Sequence, residues 1–259
     1  MGDVVAIPRT NILGVGISAI DMNLALEQIE GWVARREQHY VCVATVHGVM
    51  ECQRDPTLRQ VFNNSGLTTP DGMPLVWLSR LNGYRHVRRV YGPDLMLALC
   101  QRSVDRGYGH YLYGGAEGVA ETLADRLRQR FPGLRIVGTY TPPFRALTPA
   151  EDAAVIERIN QAKPDIVWVG ISAPKQDRWM AEHVGRLTAP VLIGVGAAFD
   201  FHSGRKRQAP RWMQGAGLEW LFRLSQEPRR LWRRYLVYNP LFVGFVFLQM
   251  TGVKRYPAP

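Results

Sequence analysis

The chain has 259 residues, of which 46% are apolar, and a formal net charge of +10. This length and composition exclude a disordered protein and allow one large α/β domain, or one domain with an appendage. Its cysteines, Cys42, Cys52 and Cys100, form no CxxC pair and cannot all be bridged, which favours reduced thiols in a cytosolic protein over a disulfide framework.

Short apolar runs alternate with longer helical patterns through the first two hundred residues. Residues 1–16 lack a basic segment followed by an apolar core, so we expect no signal peptide. Residues 12–18, ILGVGIS, have the composition of a strand, and Asp21 can cap the helix that follows. The same patterns predict further strands at 40–45, 110–115, 134–140, 164–171 and 190–196, and helices at 117–131, 148–162 and 173–185.

Strands that alternate with helices predict an α/β fold with a mostly parallel sheet and helices on both faces, similar to a Rossmann fold. Ligands of such sheets bind outside the carboxyl ends of the strands. We therefore expect a nucleotide-binding catalytic body at residues 1–200 and a helical, membrane-facing C-terminal appendage at residues 201–259.

Almost all of the excess charge lies in the appendage. From residue 201 onward there are eleven Lys or Arg and two acids, a net charge of +9, whereas the first 200 residues carry +1. Such a segment requires an anionic partner: a nucleic acid, an anionic membrane surface or a phosphorylated substrate. The chain is uncharged from Tyr235 to Gly252. This run is shorter than the roughly 20 residues of a membrane span, and Asn239-Pro240 interrupts it.

Arginines beside tryptophans, tyrosines and an interrupted apolar run favour a segment that lies in the membrane interface. The alternative is a C-terminal helix packed on the body or on another subunit, which leaves a homo-oligomer open. A second alternative is a nucleic-acid-binding protein, whose bases would stack on the aromatic rings, although this leaves the uncharged run unexplained. We expect no nucleic acid as partner.

Several common catalytic motifs are absent, including the P-loop, HExxH and GxSxG. Residues 14–19, GVGISA, match the dinucleotide fingerprint in form, which keeps an NAD(P)-dependent oxidoreductase as an alternative. There is no Asp-x-Asp pair to hold a divalent cation. A bound diphosphate would therefore be held by arginines, backbone N–H groups and helix dipoles, without a metal.

Candidate groups for this task follow the predicted strands. Gly114 and Gly115 lie between a strand and a helix, Gln176 lies near the start of another helix, and Arg89 precedes a third. At one edge of a sheet they would form a nucleotide pocket. Asp71 precedes a glycine between two prolines, where a carboxylate could take the proton of an attacking hydroxyl.

Five stretches resemble the WecG/TagA/CpsF glycosyltransferase family over nearly the whole chain: TTPDGMPLVWLSRL, RRVYGPDLM, YLYGGAEGVAE, PDIVWVGISAPKQDRWM, and the long stretch from GVGAAFDFHSG to EPRRLWRRY. The resemblance implies an inverting, metal-independent and cofactor-free transferase for surface polysaccharide. It would move a hexose or N-acetylhexosamine from a UDP-sugar to a sugar on a polyprenyl diphosphate. It also implies a cytoplasmic protein held at the inner face of the membrane by its appendage.

The resemblance also assigns roles to individual residues. Asp71 falls on the proposed general base, and His47 stands where many members have asparagine, so the donor sugar is left open. The remaining positions fall on residues near the nucleotide-sugar or its phosphates, and these are Thr45, Arg89, Gln176, Arg223, Arg230 and Arg233. The last three are seven and three residues apart and share one helix face if the helix continues through Pro228.

Overall fold

This computed structural model describes residues 7–257. Within them the strands are β1 Arg9–Ile12, β2 Val15–Ser18, β3 His39–Ala44, β4 Leu67–Pro70, β5 Gly109–Gly114, β6 Arg135–Tyr140, β7 Ile166–Gly170 and β8 Val191–Gly194. The helices of residues 7–207 are α1 Met22–Arg35, α2 Val46–Arg54, α3 Pro56–Asn63, α4 Met73–Leu81, α5 Gly92–Arg106, α6 Val119–Arg130, α7 Pro149–Gln161, α8 Lys175–His183 and α9 Ala198–His202.

The main sheet has six strands in the order β4-β3-β8-β7-β5-β6. The registered pairs of β3 with β8, β8 with β7, β7 with β5 and β5 with β6 are all parallel. The central strands β7 and β8 are buried on both faces, as their continuous apolar sequences IVWVG and VLIG require. The predicted α/β class, with a mostly parallel sheet flanked by helices, is confirmed.

The prediction of one continuous strand at residues 12–18 is wrong, because this segment contains a turn between two strands. Residues 9–18 make an antiparallel hairpin in which Arg9 pairs with Ser18 and Ile12 with Val15. The turn falls on Leu13 and Gly14, which both have a positive φ. Gly14, the first glycine of GVGISA, thus lies in the hairpin turn of a separate two-stranded sheet and not in a turn between a strand and a helix. The prediction of no signal peptide concerned residues 1–16, and residues 1–6 lie outside the part of the chain that the structure describes.

The predicted helices form where local caps specify them. Thr148 accepts the N–H of Glu151 and the Glu151 side chain accepts the N–H of Thr148, so α7 begins with a capping box followed by Pro149. α1 begins at Met22, directly after Asp21, and buries Leu26, Ile29 and Val33 on one face, among others. These helices confirm the predicted periodicity.

β4 was not predicted, because its four residues, LTTP, lack an apolar run and end in proline. The strand is buried throughout and terminates at Pro70. Asp71 follows it, and α4 begins two residues later at Met73. A strand end and a helix start therefore fix the backbone on both sides of Asp71.

The appendage is a chain of short helices and not one continuous helix. Its elements are α10 Arg211–Gly215, α11 Glu219–Gln226, α12 Pro228–Trp232, a π-helical turn Arg233–Val237 and α13 Tyr238–Met250. Helix α11 ends at Gln226, and Pro228 begins the next helix, α12, because proline cannot continue a helix but is favoured in its first turn. Among residues 7–257 no helix combines the length and apolarity needed to cross a membrane.

The described chain divides into two compact units. The first unit comprises residues 7–23, 43–91 and 208–257, so it contains the appendage from residue 208 onward as well as Asp71. The second unit comprises residues 24–42 and 92–207. The division of the sequence into a body at 1–200 and an appendage at 201–259 stays a prediction.

Candidate active site

Asp71 lies in the first unit, where backbone contacts hold it beside the start of α2. Its N–H donates to the carbonyl of Ala44 over 3.0 Å. The next residue, Gly72, also lies next to α2, since a methyl group added to it would make an ordinary contact with the nitrogen of Val46 at 3.5 Å. The Asp71 side chain is 13% exposed. The Asp-Gly turn thus places one nearly buried carboxylate at the carboxyl end of β4.

Two carboxylates share the guanidinium of Arg89. Its Nη2 lies 3.0 Å from Asp71 Oδ1 and 2.6 Å from Glu219 Oε2, and its Nε donates to the Asp71 carbonyl over 2.5 Å. The guanidinium lies over the ring of Tyr91, 4.1 Å from its centroid, and the Tyr91 hydroxyl donates to Glu219 Oε1 over 3.1 Å. Glu219 is the first residue of α11, so the appendage contributes the second carboxylate of this hydrogen-bond network.

Burial controls the acidity of Asp71. Burial is the largest cause that raises the pKa of the carboxyl, the neighbouring Glu219 raises it as well, and Arg89 and Arg223 lower it, which leaves the pKa at about 6. Burial also raises the pKa of the Tyr91 hydroxyl, again with a contribution from Glu219. The arrangement therefore keeps Tyr91 protonated and makes Asp71 a stronger base than an ordinary aspartate near neutral pH.

The predicted appendage arginines occupy different environments. Arg223 is partly buried, and its pKa is raised overall because Tyr235 and Glu219 outweigh the effect of burial. Arg230 is exposed and pairs with Glu227, and Arg233 is exposed beside the ring of Trp232. These three do not share one helix face, because the helix ends before Pro228. Their predicted contacts with phosphate stay predictions.

Arg234 is the appendage arginine that approaches the first turn of α2. Its Nη2 lies 3.5 Å from Thr45 Oγ1, which also accepts the N–H of Gly48 as the N-cap of α2. Burial lowers the pKa of Arg234, and the neighbouring Arg223 lowers it further. Thr45, whose predicted role near the nucleotide-sugar stays a prediction, therefore lies beside a cation that the sequence did not single out.

His47 is the second residue of the same helix, and its imidazole is neutral. Burial, together with the charges of Arg234 and Arg223, lowers its pKa to about 3. The ring is tilted against that of Tyr238, with the centroids 5.5 Å apart, and Nδ1 is buried without a hydrogen bond among the described residues. The predicted influence of His47 on the sugar is untested, but this environment argues against a charged imidazolium.

The second unit contains the remaining predicted residues. Gly114 ends β5 with a φ of 130°, and a methyl group there would lie 2.6 Å from the Gly170 backbone, so glycine is required for packing. The N–H of Gly115 donates to the Gly170 carbonyl over 3.0 Å and is therefore engaged within the fold. An open depression of about 600 Å³ adjoins this segment, lined by residues 116–119, 122 and 203–205.

Gln176 is buried on α8 against the glycines that end β8. A methyl group on Gly194 would lie 2.9 Å from its Nε2, and its Oε1 accepts no hydrogen bond from the described residues. The neighbouring Asp177 is also buried, which raises its pKa to about 7. The roles predicted for Gly114, Gly115 and Gln176 in substrate binding stay predictions.

Sequence reasoning missed three members of the Asp71 site: Tyr91, Glu219 and Arg234. Glu219 and Arg89 are 130 residues apart, and no local pattern links them. The sequence offered one signal, since Glu219 is one of only two acids among the eleven basic residues after residue 200. Among residues 7–257, no group of three His, Cys, Asp or Glu side chains is arranged to hold a metal ion.

The order of these features along the chain matches one known family. A sequence model described as "Glycosyl transferase WecG/TagA/CpsF family" matches residues 10–256. The chain belongs to this family of glycosyltransferases. The membership and the hairpin context of GVGISA decide against the oxidoreductase interpretation.

Three similar proteins bear the same name, N-acetylglucosaminyldiphosphoundecaprenol N-acetyl-beta-D-mannosaminyltransferase. The protein of Bacillus subtilis strain 168 is 28% identical over 86% of this chain and 88% of its own length. That of Bacillus spizizenii is 29% identical over 72% and 70%, and that of Staphylococcus aureus strain MW2 is 24% identical over 95% of both chains. The likeness therefore extends over most of each protein.

Proposed function

We propose that this glycosyltransferase moves a hexose or N-acetylhexosamine from a UDP-sugar to a sugar on a polyprenyl diphosphate, with inversion and without a metal. The observation that carries the proposal is the buried Asp71 carboxylate, which has a pKa of about 6 and lies beside Arg89 and the appendage. A base with this pKa is largely ionised at pH 7 and still accepts a proton readily.

In the proposed reaction, Asp71 accepts the proton of the acceptor hydroxyl as that oxygen attacks the anomeric carbon. The new glycosidic bond forms while the bond to UDP breaks, so the configuration inverts. The proton remains on Asp71 and the electron pair leaves with UDP. The guanidiniums of Arg89 and Arg223 stabilise the carboxylate and the growing negative charge of the diphosphate.

The charges of the site support a metal-free scheme. Arg89 is already paired with Asp71 and Glu219, so its single charge is offset by two carboxylates. Arg223 and Arg234 then add two positive charges from the appendage. This surplus is suited to a diphosphate leaving group. Persistence of transfer in EDTA is expected, and a strict requirement for a divalent cation would refute this part of the proposal.

The names of the similar proteins support the choice of acceptor. Each specifies an undecaprenyl diphosphate that carries N-acetylglucosamine, and a transferred N-acetylmannosamine. We propose an acceptor of this chemical class for the present chain. A panel of UDP-sugars, tested against a short-chain prenyl diphosphate that carries one sugar, would identify the donor and the linkage.

The surface of the appendage supports association with the cytoplasmic face of the membrane. Among the described residues, ten of the fourteen exposed large hydrophobic side chains lie within residues 208–257, including Val243, Phe247 and Met250 on α13. Exposed arginines flank them, as in helices that lie in the membrane interface. This surface would hold the enzyme where its lipid-linked acceptor is found.

The membrane proposal is tested with liposomes. The double substitution Val243→Glu and Phe247→Glu should release the protein from vesicles that contain anionic lipid. Phe144→Glu is the matched control, because Phe144 is equally apolar and fully exposed but lies outside the appendage. Equal sedimentation of both variants with the vesicles would discard the proposal.

The catalytic proposal is tested with Asp71→Asn. Transfer should fall by at least a hundredfold while UDP-sugar binding is retained, because the amide keeps the shape but cannot accept the proton. Asp125→Asn, on an exposed carboxylate that pairs with Arg128, should leave transfer unchanged. Full activity of Asp71→Asn would remove Asp71 from the mechanism.

A further inference from the structure

Arg234 is a partly buried cation whose hydrogen bonds are incomplete. Its Nε is buried and donates to none of the described residues, and its Nη2 reaches only Thr45 Oγ1, at the long distance of 3.5 Å. No carboxylate of the described chain lies within ion-pair distance of it. Removing a guanidinium from water is costly unless an anion or several acceptors replace the solvent.

Its surroundings add to this cost. Arg223 is near enough to lower the pKa of Arg234. Both arginines also lower the pKa of His47, which is therefore neutral and provides no negative charge. The free protein therefore holds two guanidiniums close together without a carboxylate on Arg234. An incoming anion would satisfy the Nε and offset the repulsion at once.

Thr45 supplies a donor at the same point. A threonine hydroxyl has two acceptor positions and one hydrogen to donate. The N–H of Gly48, at 3.3 Å, and Nη2 of Arg234 both donate to Oγ1 and so occupy the acceptor positions. The hydroxyl hydrogen is then available to donate to a bound ligand. A hydroxyl donor beside a guanidinium is complementary to a phosphoryl oxygen.

The π-helical turn explains why Arg234 and not Arg233 takes this position. Successive residues of an α-helix are rotated by about 100°, and a π-helical turn contains an additional residue. In the turn Arg233–Val237, Arg233 faces solvent beside Trp232 and Arg234 faces α2. Such turns are frequently found at functional sites.

We propose that Arg234 and Thr45 together form a binding subsite for one phosphoryl group of a substrate diphosphate. This inference rests on the proposed function, which supplies two substrates with that chemistry: the nucleotide-sugar donor and the lipid-linked acceptor. Arg234 would be a binding residue additional to the arginines that the family resemblance indicates.

The test compares Arg234→Met with Arg229→Met, a change at an exposed arginine of α12. Titration calorimetry with UDP reports the donor diphosphate, and titration with a short-chain prenyl diphosphate reports the acceptor. Arg234→Met should weaken one of the two affinities by about 10- to 100-fold, as loss of a charge-assisted hydrogen bond predicts, and Arg229→Met by less than about twofold. The affected probe identifies the substrate.

Thr45 provides the second arm. Thr45→Ser keeps the hydroxyl and the cap and should bind the affected probe as the wild type does. Thr45→Val removes the hydroxyl and should weaken the same probe. Thermal unfolding separates binding from structure, because Arg234→Met should melt at or above the wild-type temperature once the poorly paired cation is removed.

The outcomes are distinguishable. If the wild type binds and transfers but Arg234→Met binds both probes equally well, only the Arg234 subsite is overturned. A lowered melting temperature with unchanged affinities would assign Arg234 a structural role and also overturn it. Wild-type protein that bound neither probe would overturn the proposed function and the subsite together.

Discussion

Replacing Glu219 by glutamine should make Asp71 a weaker base. The amide retains the size of the side chain, and its one oxygen can still accept a hydrogen bond from Arg89 while its NH2 donates to the Tyr91 hydroxyl oxygen, but it carries no charge. Glu219 raises the pKa of Asp71, so its neutralisation removes one cause of the value near 6. Arg89 is then left to the Asp71 carboxylate alone, which lowers the pKa further.

The distances set the size of the effect. Arg89 Nη2 lies 3.0 Å from Asp71 Oδ1 and 2.6 Å from Glu219 Oε2, which places the two carboxylate oxygens at most about 5.6 Å apart. At an effective dielectric constant of about 20, two unit charges at this distance repel by about 3 kcal/mol, or about two pKa units. Solvent at these partly exposed side chains reduces this figure, so we expect a fall of one to two units.

The assay is the pH dependence of kcat/KM, which reports ionisations of the free enzyme. In the wild type kcat/KM should decline as the pH falls through about 6, where Asp71 becomes protonated. In Glu219→Gln this decline should move to between about pH 4 and 5. Glu227→Gln is the matched control, since Glu227 is the other appendage acid and pairs with Arg230. An unchanged or higher midpoint in Glu219→Gln would refute the electrostatic account.

Three further predictions concern the fold. Gly170→Ala would place a methyl group 2.5 Å from Phe199 Cδ2 and should lower the free energy of unfolding by about 1–3 kcal/mol. Gly215→Ala is the control, because the space around Gly215 is open, and it should change the free energy by less than about 0.5 kcal/mol. Urea unfolding measures both variants. Thr148→Ala removes the cap of α7 and should cost about 1 kcal/mol in the same assay, and no loss would contradict the capping box. The pKa of His47 is lowered from 6.5 to about 3, so its contribution to stability is present above pH 6.5 and is lost as the pH falls below 6.5. His47→Asn should therefore make the free energy of unfolding less sensitive to acid between pH 7 and 5. An unaltered pH dependence of unfolding would contradict this prediction.

The assignment of Arg89 illustrates how neighbouring charges change a role. The family resemblance places Arg89 near the diphosphate, but in the structure two carboxylates already share its guanidinium. Arg89 therefore has less positive charge available for a phosphate than an arginine without acidic partners. The surplus comes from Arg223 and Arg234, which makes the appendage part of the proposed chemistry as well as part of membrane association.

The sequence alone determined the α/β class, five of the six strands of the main sheet, and the helices α1, α6, α7 and α8. These features depend on short-range properties: apolar runs for buried parallel strands, 3.6-residue periodicity for helices, and caps such as Thr148. It also singled out Asp71 and the basic appendage, because an Asp-Gly between prolines and a concentration of arginines are visible without any fold.

Only the tertiary structure decided which groups meet Asp71. The Arg89–Glu219 contact joins positions 130 residues apart, and it forms because residues 208–257 fold into the same compact unit as Asp71. The choice of Arg234 over Arg233 depends on the break at Pro228 and on the π-helical turn, which together set the direction in which each side chain leaves the helix axis. Local periodicity contains no information on such long-range pairing, so these residues became recognisable only in three dimensions.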